Sequence, residues 1–109
     1  MANLIGQVTI PSGGKVQLST ALSQPSNANA GATLAALPVG NIYVQQLIVQ
    51  NNGTHNARLG DVTVSSTKGL LLFPTASANL GGFVAYGTYL SDWWVFGTAT
   101  DVIDFLFIQ

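Results

Sequence analysis

The stretch Ile42–Pro74, IYVQQLIVQNNGTHNARLGDVTVSSTKGLLLFP, decides the fold. Side chains alternate along an extended chain, so Ile42, Val44, Gln46, Ile48 and Gln50 share one face and Tyr43, Gln45, Leu47 and Val49 the other. Apolar residues on both faces predict a strand in the middle of a sheet. Asn51-Asn52-Gly53-Thr54 follows, and Asn-Gly suits the paired positive-φ positions of a tight hairpin. Ala57–Gly60 then returns toward Asp61–Ser65, where Val62 and Val64 alternate with Thr63 and Ser65 as in a β-branched strand. Ser66–Gly69 reads as a second turn with Gly69 at its tight position. Leu70–Phe73 is a short, fully apolar strand ended by Pro74.

On the amino-terminal side, Asn3–Ile10 alternates with Leu4, Gly6, Val8 and Ile10 on one face. Pro11-Ser-Gly-Gly breaks it, and Lys15–Leu22 resumes as a second strand expected antiparallel to the first. Residues 1–14 could equally extend as an arm onto a neighbour. Residues 23–41 form the compositional outlier: Ser, Asn, Ala and Gly dominate and no charge occurs. This predicts a long loop, with one helical turn at Ala32–Leu37, of the kind that often binds a partner. Toward the carboxyl end, Phe83–Leu90, Trp93–Phe96 and Asp101–Ile108 read as strands, and Gly87 marks a bulge or a close backbone approach. About eight short strands with no amphipathic helix predict a single all-β domain, an antiparallel β-sandwich of jelly-roll type. An immunoglobulin-like sandwich is the alternative.

Composition narrows the function. Lys15, Arg58 and Lys68 oppose Asp61, Asp92, Asp101 and Asp104, with no glutamate; 6% of residues are charged, against about 25% in an average domain. Three scattered cations cannot track a phosphate backbone or an anionic lipid surface, so neither nucleic acid nor membrane is an expected partner. With no cysteine there is neither a disulfide nor a thiolate metal site. No signal peptide or spanning segment is evident, which predicts a soluble chain. A weak net charge promotes association, so much of the surface is expected to be covered by partner chains, the alternative being solvation by neutral Ser, Thr, Asn and Gln.

Residues able to carry chemistry are few. His55 is the only histidine, and without a matched nucleophile and acid it reads as an exposed turn residue. Asp101 and Asp104 are separated by Val102 and Ile103, lack the spacing of a calcium loop and predict no acid/base pair. Gly13-Gly14-Lys15 lacks the rest of a phosphate-binding loop, and Asn52-Gly53-Thr54 matches a glycosylation acceptor without its compartment. No catalytic residue, metal or cofactor is therefore expected. The candidate interface residues are Trp93 and Trp94, Arg58 and Asp61, and Asn27 and Asn29 of the loop. Adjacent tryptophans on a strand point to opposite faces, so at most one enters the core and the other faces a partner, stacks on a sugar or packs at an edge. Arg58, the sole arginine, suits fixed interface contacts, and with Asp61 forms a pair or caps a turn.

From Leu47-Ile-Val-Gln-Asn-Asn through Ala57-Arg-Leu-Gly-Asp-Val-Thr-Val-Ser-Ser-Thr-Lys-Gly-Leu-Leu-Leu-Phe-Pro, the chain resembles small structural proteins of tailed bacteriophages. Leu90–Phe96 and Val102–Ile108 resemble the segments that close that domain, and Thr75 stands where the pattern has a glycine. The resemblance implies a non-enzymatic virion component: a capsid cement or decoration protein of jelly-roll type. Such a protein would clamp neighbouring major capsid subunits on the capsid surface, as a dimer or trimer, after synthesis in the host cytoplasm. It implies structural roles for Arg58, Leu59, Gly60 and Asp61. A carbohydrate- or receptor-binding jelly-roll module of a phage tail or fibre is the alternative.

Overall fold

The cleanest alternation lies at the two ends of the chain, and those ends lie side by side. The computed structural model describes residues 3–23, 28–29, 32–33, 42–74 and 82–108. Their strands, in order, are β1 (Asn3–Thr9), β2 (Lys15–Gln17), β3 (Ala28–Asn29), β4 (Ala32–Thr33), β5 (Tyr43–Asn51), β6 (Ala57–Gly60), β7 (Leu70–Leu72), β8 (Phe83–Tyr89), β9 (Trp94–Phe96) and β10 (Val102–Ile108). Short 3-10 turns at Leu18–Ser23 and Leu90–Asp92 are the helical elements among the described residues.

Two antiparallel sheets of four strands form a β-sandwich: β1-β10-β5-β8, called sheet 1, and β2-β9-β6-β7, called sheet 2. A separate two-strand ladder joins β3 to β4. Pairing within the sandwich is nested. The first strand pairs with the last, β2 with β9, β5 with β8, and β6 with β7. An immunoglobulin sandwich instead puts its first two strands side by side in one sheet. Here β1 and β2 lie in different sheets, so that alternative is not what the chain adopts.

The core lies between the sheets. Val8 and Ile10, Val44, Leu47 and Val49, and Ile103, Phe105 and Phe107 meet Val16, Ala57, Leu59, Leu72 and Val95 across it. Phe105 and Phe107 stack with centroids 5.9 Å apart. Gly6 is the cross-strand partner of Phe105, and a β-carbon there would overlap the Phe105 ring. The glycine thus lets the ring lie across β1.

Several expectations need correction. Lys15–Leu22 does not pair with β1. The strand stops at Gln17 and becomes a 3-10 turn, with Leu18 N–H bonded to Trp93 O at 3.0 Å and Ser19 buried. Gly14, at φ 82°, turns the chain from one sheet to the other. Asn3–Thr9 pairs along its whole length with β10 of its own chain, so an outreaching arm would have to break those pairs.

Asn51–Thr54 is not a tight hairpin. The described positive-φ glycines are Gly14, Gly69 and Gly87, and Gly53 is not among them. The segment is the corner from sheet 1 to sheet 2. Its glycine is needed for space, because a β-carbon on Gly53 would lie 2.7 Å from the Asp101 side chain.

Asp61–Ser65 is a turn rather than a strand: Asp61 Oδ1 accepts Thr63 N–H at 2.8 Å and Asp61 O accepts Val64 N–H at 3.0 Å. The local carboxylate contact outweighs the β preference of Val and Thr. The apolar strand at Leu70–Leu72 forms as expected, at the edge of sheet 2, with Leu70 and Leu71 exposed. In the 23–41 loop, Ala32 and Thr33 are extended where a helical turn was expected, and residues 34–40 and Asn27 lie outside the described residues.

Alternation in β5 slips once. Val44 and Leu47 are both buried, so Gln45 and Gln46 both turn outward. β8 slips at the same level, where Tyr86 and Gly87 are both exposed, so Val44 still faces Thr88 and Leu47 still faces Ala85. Gly87 makes this possible at φ 59°, with Tyr43 Oη 3.0 Å from where a β-carbon would sit. The expected bulge or close approach is thus located.

Candidate functional site

The sandwich has two outer faces, and they differ in chemistry. On sheet 1 the register lines up Ile5, Leu106, Ile48 and Val84 in one row across all four strands. Ile5 is 61% exposed and Val84 42%, and Leu106 and Ile48 are half-buried. Ile5, Ile48 and Leu106 line a shallow depression of about 210 Å³. Beside the row stands Tyr86, 73% exposed. Among the described residues, Asp104 is the charged residue on this face, and Gln7 Nε2 donates to it at 2.7 Å. An antiparallel sheet with one solvated face ordinarily turns polar residues outward. This face keeps an apolar row across four strands, roughly 14 Å from first to last at about 4.8 Å between neighbours.

Sheet 2 carries the cations. Its outer row runs Lys15, Phe96, Arg58, Leu71 across the four strands. The tryptophans divide as expected. Trp93 packs against the core, its ring 5.1 Å from that of Phe83 and its Nε1 donating to Thr88 Oγ1 at 3.0 Å. Trp94 is on the outer side, with Lys15 Nζ 5.5 Å from its ring centroid. That ammonium continues to Val62 O at 2.6 Å, so the lysine side chain crosses β9 and covers one face of the indole.

Arg58 and Asp61 are not paired. Arg58 Nε donates to Ser66 O at 3.1 Å and Nη1 to Gly69 O at 2.9 Å, so the guanidinium holds the turn between β6 and β7. Asp61 caps its own turn; the Thr63 side-chain and backbone hydrogen bonds, aided by the Lys68 charge, hold its carboxyl below the ordinary 3.8. Among the described residues the one ion pair is His55 with Asp101, so Arg58 has no carboxylate partner there. Asn29 lies in the β3–β4 ladder.

The sequence reading missed the partner of His55. Its Nδ1 lies 3.0 Å from Asp101 Oδ2, and its backbone N–H donates to the same oxygen at 3.1 Å. Burial opposes ionisation of Asp101, but the His55 hydrogen bonds and charge outweigh it and lower its pKa. Thr54 Oγ1 also approaches His55 Nδ1, at 3.1 Å. A nucleophile–base–acid relay needs acid and nucleophile on opposite ring nitrogens. Here both reach Nδ1, which ties the corner to β10. Among the described residues no group of three His, Cys, Asp or Glu side chains could hold a metal ion, and no helix is long and apolar enough to cross a membrane.

The chain matches no family model, no curated protein and no solved structure. Its function is therefore argued from its own surface. The residues that sequence reasoning passed over are those of the sheet 1 row. Their signal was present: Ile48 and Leu106 are apolar on the face opposite the core residues Leu47, Val49, Phe105 and Phe107, and no amphipathic helix is available to cover them.

Proposed function

We propose that the chain is a non-enzymatic structural protein of a phage virion, a capsid cement or decoration protein that clamps neighbouring major capsid subunits and stabilises the particle. The observation that supports this most is the apolar row on the outer face of sheet 1, with Ile5, Leu106, Ile48 and Val84 in register and Tyr86 beside them. Contiguous apolar surface of this kind is a mark of protein contact. The nested pairing of four strand pairs into two sheets suits the jelly roll that the resemblance implies. On this reading the protein is a dimer or trimer on the capsid surface. Many weak clamps act together there through effective concentration.

Binding through a face with one charged residue resists salt. The test is co-sedimentation of purified protein with particles lacking it, in dilute buffer and in about 1 M salt, where the Debye length falls to about 3 Å. Wild type is expected in the pellet under both conditions, and the double variant Ile5→Lys/Val84→Lys in the supernatant with its fold intact. Release of wild type by salt but not by mild detergent would show that the mechanism is wrong.

A further inference from the structure

A second surface feature stands apart from the apolar face. The three cations of the chain, Lys15, Arg58 and Lys68, all lie on sheet 2 or on the turn joining β6 to β7. Lys15 is engaged by Val62 O and the Trp94 ring, and Lys68 Nζ donates to Thr63 Oγ1 at 2.7 Å beside Asp61. Arg58 differs. A guanidinium has five N–H donors. Two of them bind Ser66 O and Gly69 O, which leaves three with no partner among the described residues. The two carbonyls also fix the guanidinium in place, so little further side-chain ordering is required to bind an anion.

Arg58 helps to line an open cleft of about 330 Å³, together with Asn56, Ser66, Leu71, Phe96 and Thr98. That volume is at the lower end of ligand pockets, about 300–1,000 Å³. Its chemistry is directional. An amide and two hydroxyl-bearing residues supply neutral polar groups, and Phe96 and Leu71 flank Arg58 in the same cross-strand row. A ligand that covers these apolar walls displaces water from the guanidinium and so strengthens its attraction for an anion. Planar, forked donors match a carboxylate or a phosphate bidentately, and among unmodified protein side chains the carboxylate is the anion with that geometry. A cleft open along the sheet holds a carboxylate carried on a chain better than a free ion, because the chain also covers the two apolar walls.

We propose that the Arg58 cleft binds the carboxylate of an acidic peptide segment of a partner protein. The Arg58 fork receives the aspartate or glutamate side chain, and Phe96 and Leu71 contact the flanking residues. The proposal does not depend on the partner being a capsid subunit, and its test uses no particles.

The test is amide-resolved NMR titration of the intact chain with the capped tripeptide acetyl-Ala-Asp-Ala-amide, its Asn counterpart, and sodium acetate. The Asp peptide is expected to shift the Asn56, Arg58, Gly97 and Thr98 amides saturably, and the Asn peptide to bind at least about tenfold more weakly, the usual loss when a charged partner goes missing. Arg58→Lys should weaken the Asp peptide several-fold while keeping charge. Thr98→Glu, at an exposed position outside the strands, should abolish binding by placing a tethered carboxylate at the cleft and should leave other amides unshifted. Equal binding of the Asp and Asn peptides, shifts centred away from the cleft, or unchanged affinity in Thr98→Glu would each overturn the proposal. Acetate binding as tightly as the Asp peptide would overturn the peptide assignment in favour of a free carboxylate.

Discussion

Asn51 joins the two sheets, and replacing it tests how the corner is held. It is 1% exposed. Its Nδ2 donates to His55 O at 2.7 Å and to Leu72 O at 3.1 Å, and its Oδ1 accepts Gly53 N–H at 2.9 Å. One side chain at the end of β5 thus ties the corner to itself and to β7 of the other sheet. Asn51→Ala removes these contacts, and at about 1 kcal/mol for each hydrogen bond the loss is about 3 kcal/mol. In a domain whose whole stability is about 5–15 kcal/mol, that is a large share. It corresponds to a fall in Tm of roughly 12–24 °C, taking about 4–8 °C per kcal/mol.

Asn51→Asp is the sharper variant. It keeps an acceptor for Gly53 N–H but sets a buried carboxylate oxygen against two carbonyls, so at pH 7 it should be less stable than Asn51→Ala. Burial among acceptors raises the folded-state pKa of that carboxyl above its unfolded value. The penalty is therefore complete above the folded pKa and fades as pH falls toward about 4. Urea unfolding followed by tryptophan fluorescence, at pH 7 and pH 4.5, measures both effects. Gln50→Ala, on the exposed side of the same strand, should change stability by no more than about 0.5 kcal/mol. A wild-type-like Asn51→Ala, or an Asn51→Asp at least as stable as Asn51→Ala at pH 7, would refute the reasoning.

Gly6→Val should cost about 1–3 kcal/mol by forcing the Phe105 ring out of its place over β1, and Phe105→Leu in the same chain should recover part of that in thermal unfolding. Gly87→Ala should cost about 1–2 kcal/mol because φ there is 59°, and Gly87→Asn less, since Asn tolerates the left-handed region; equal losses would mean that the backbone angle is not the cause. Asp61 and Asp101 both have folded pKa values below the ordinary 3.8. Their contribution is therefore complete above about pH 4 and disappears as pH falls through the lowered values, so urea midpoints should decline in acid, and more shallowly in Asp101→Asn.

Much of the sandwich was legible in local pattern. The partial alternation of Asn3–Ile10 and the apolar run Asp101–Ile108 mark both as strands, and apolar residues on both faces of Ile42–Gln50 predict the mid-sheet place that β5 has between β10 and β8. The division of Trp93 and Trp94 between core and exterior followed from strand geometry alone. Less was legible where a short polar segment had two uses. Asn51-Asn52-Gly53 looks like a hairpin because Asn and Gly permit positive φ, yet here they cross between sheets. Asp61–Ser65 has the composition of a strand, and one carboxylate turned it. His55 reads as unpartnered in the sequence because its acid, Asp101, lies 46 residues away.

What the sequence determined by itself was the class of the fold, the location of most of its strands and the poverty of its charge, since period, turn residues and composition are properties of neighbours along the chain. What tertiary structure decided was which surfaces those properties create. Nested pairing brings Ile5, Ile48, Val84 and Leu106 into one row, leaves Arg58 between Phe96 and Leu71, and puts Asp101 against His55. Each grouping joins segments far apart in sequence, and only the register of strand pairing determines which of them meet.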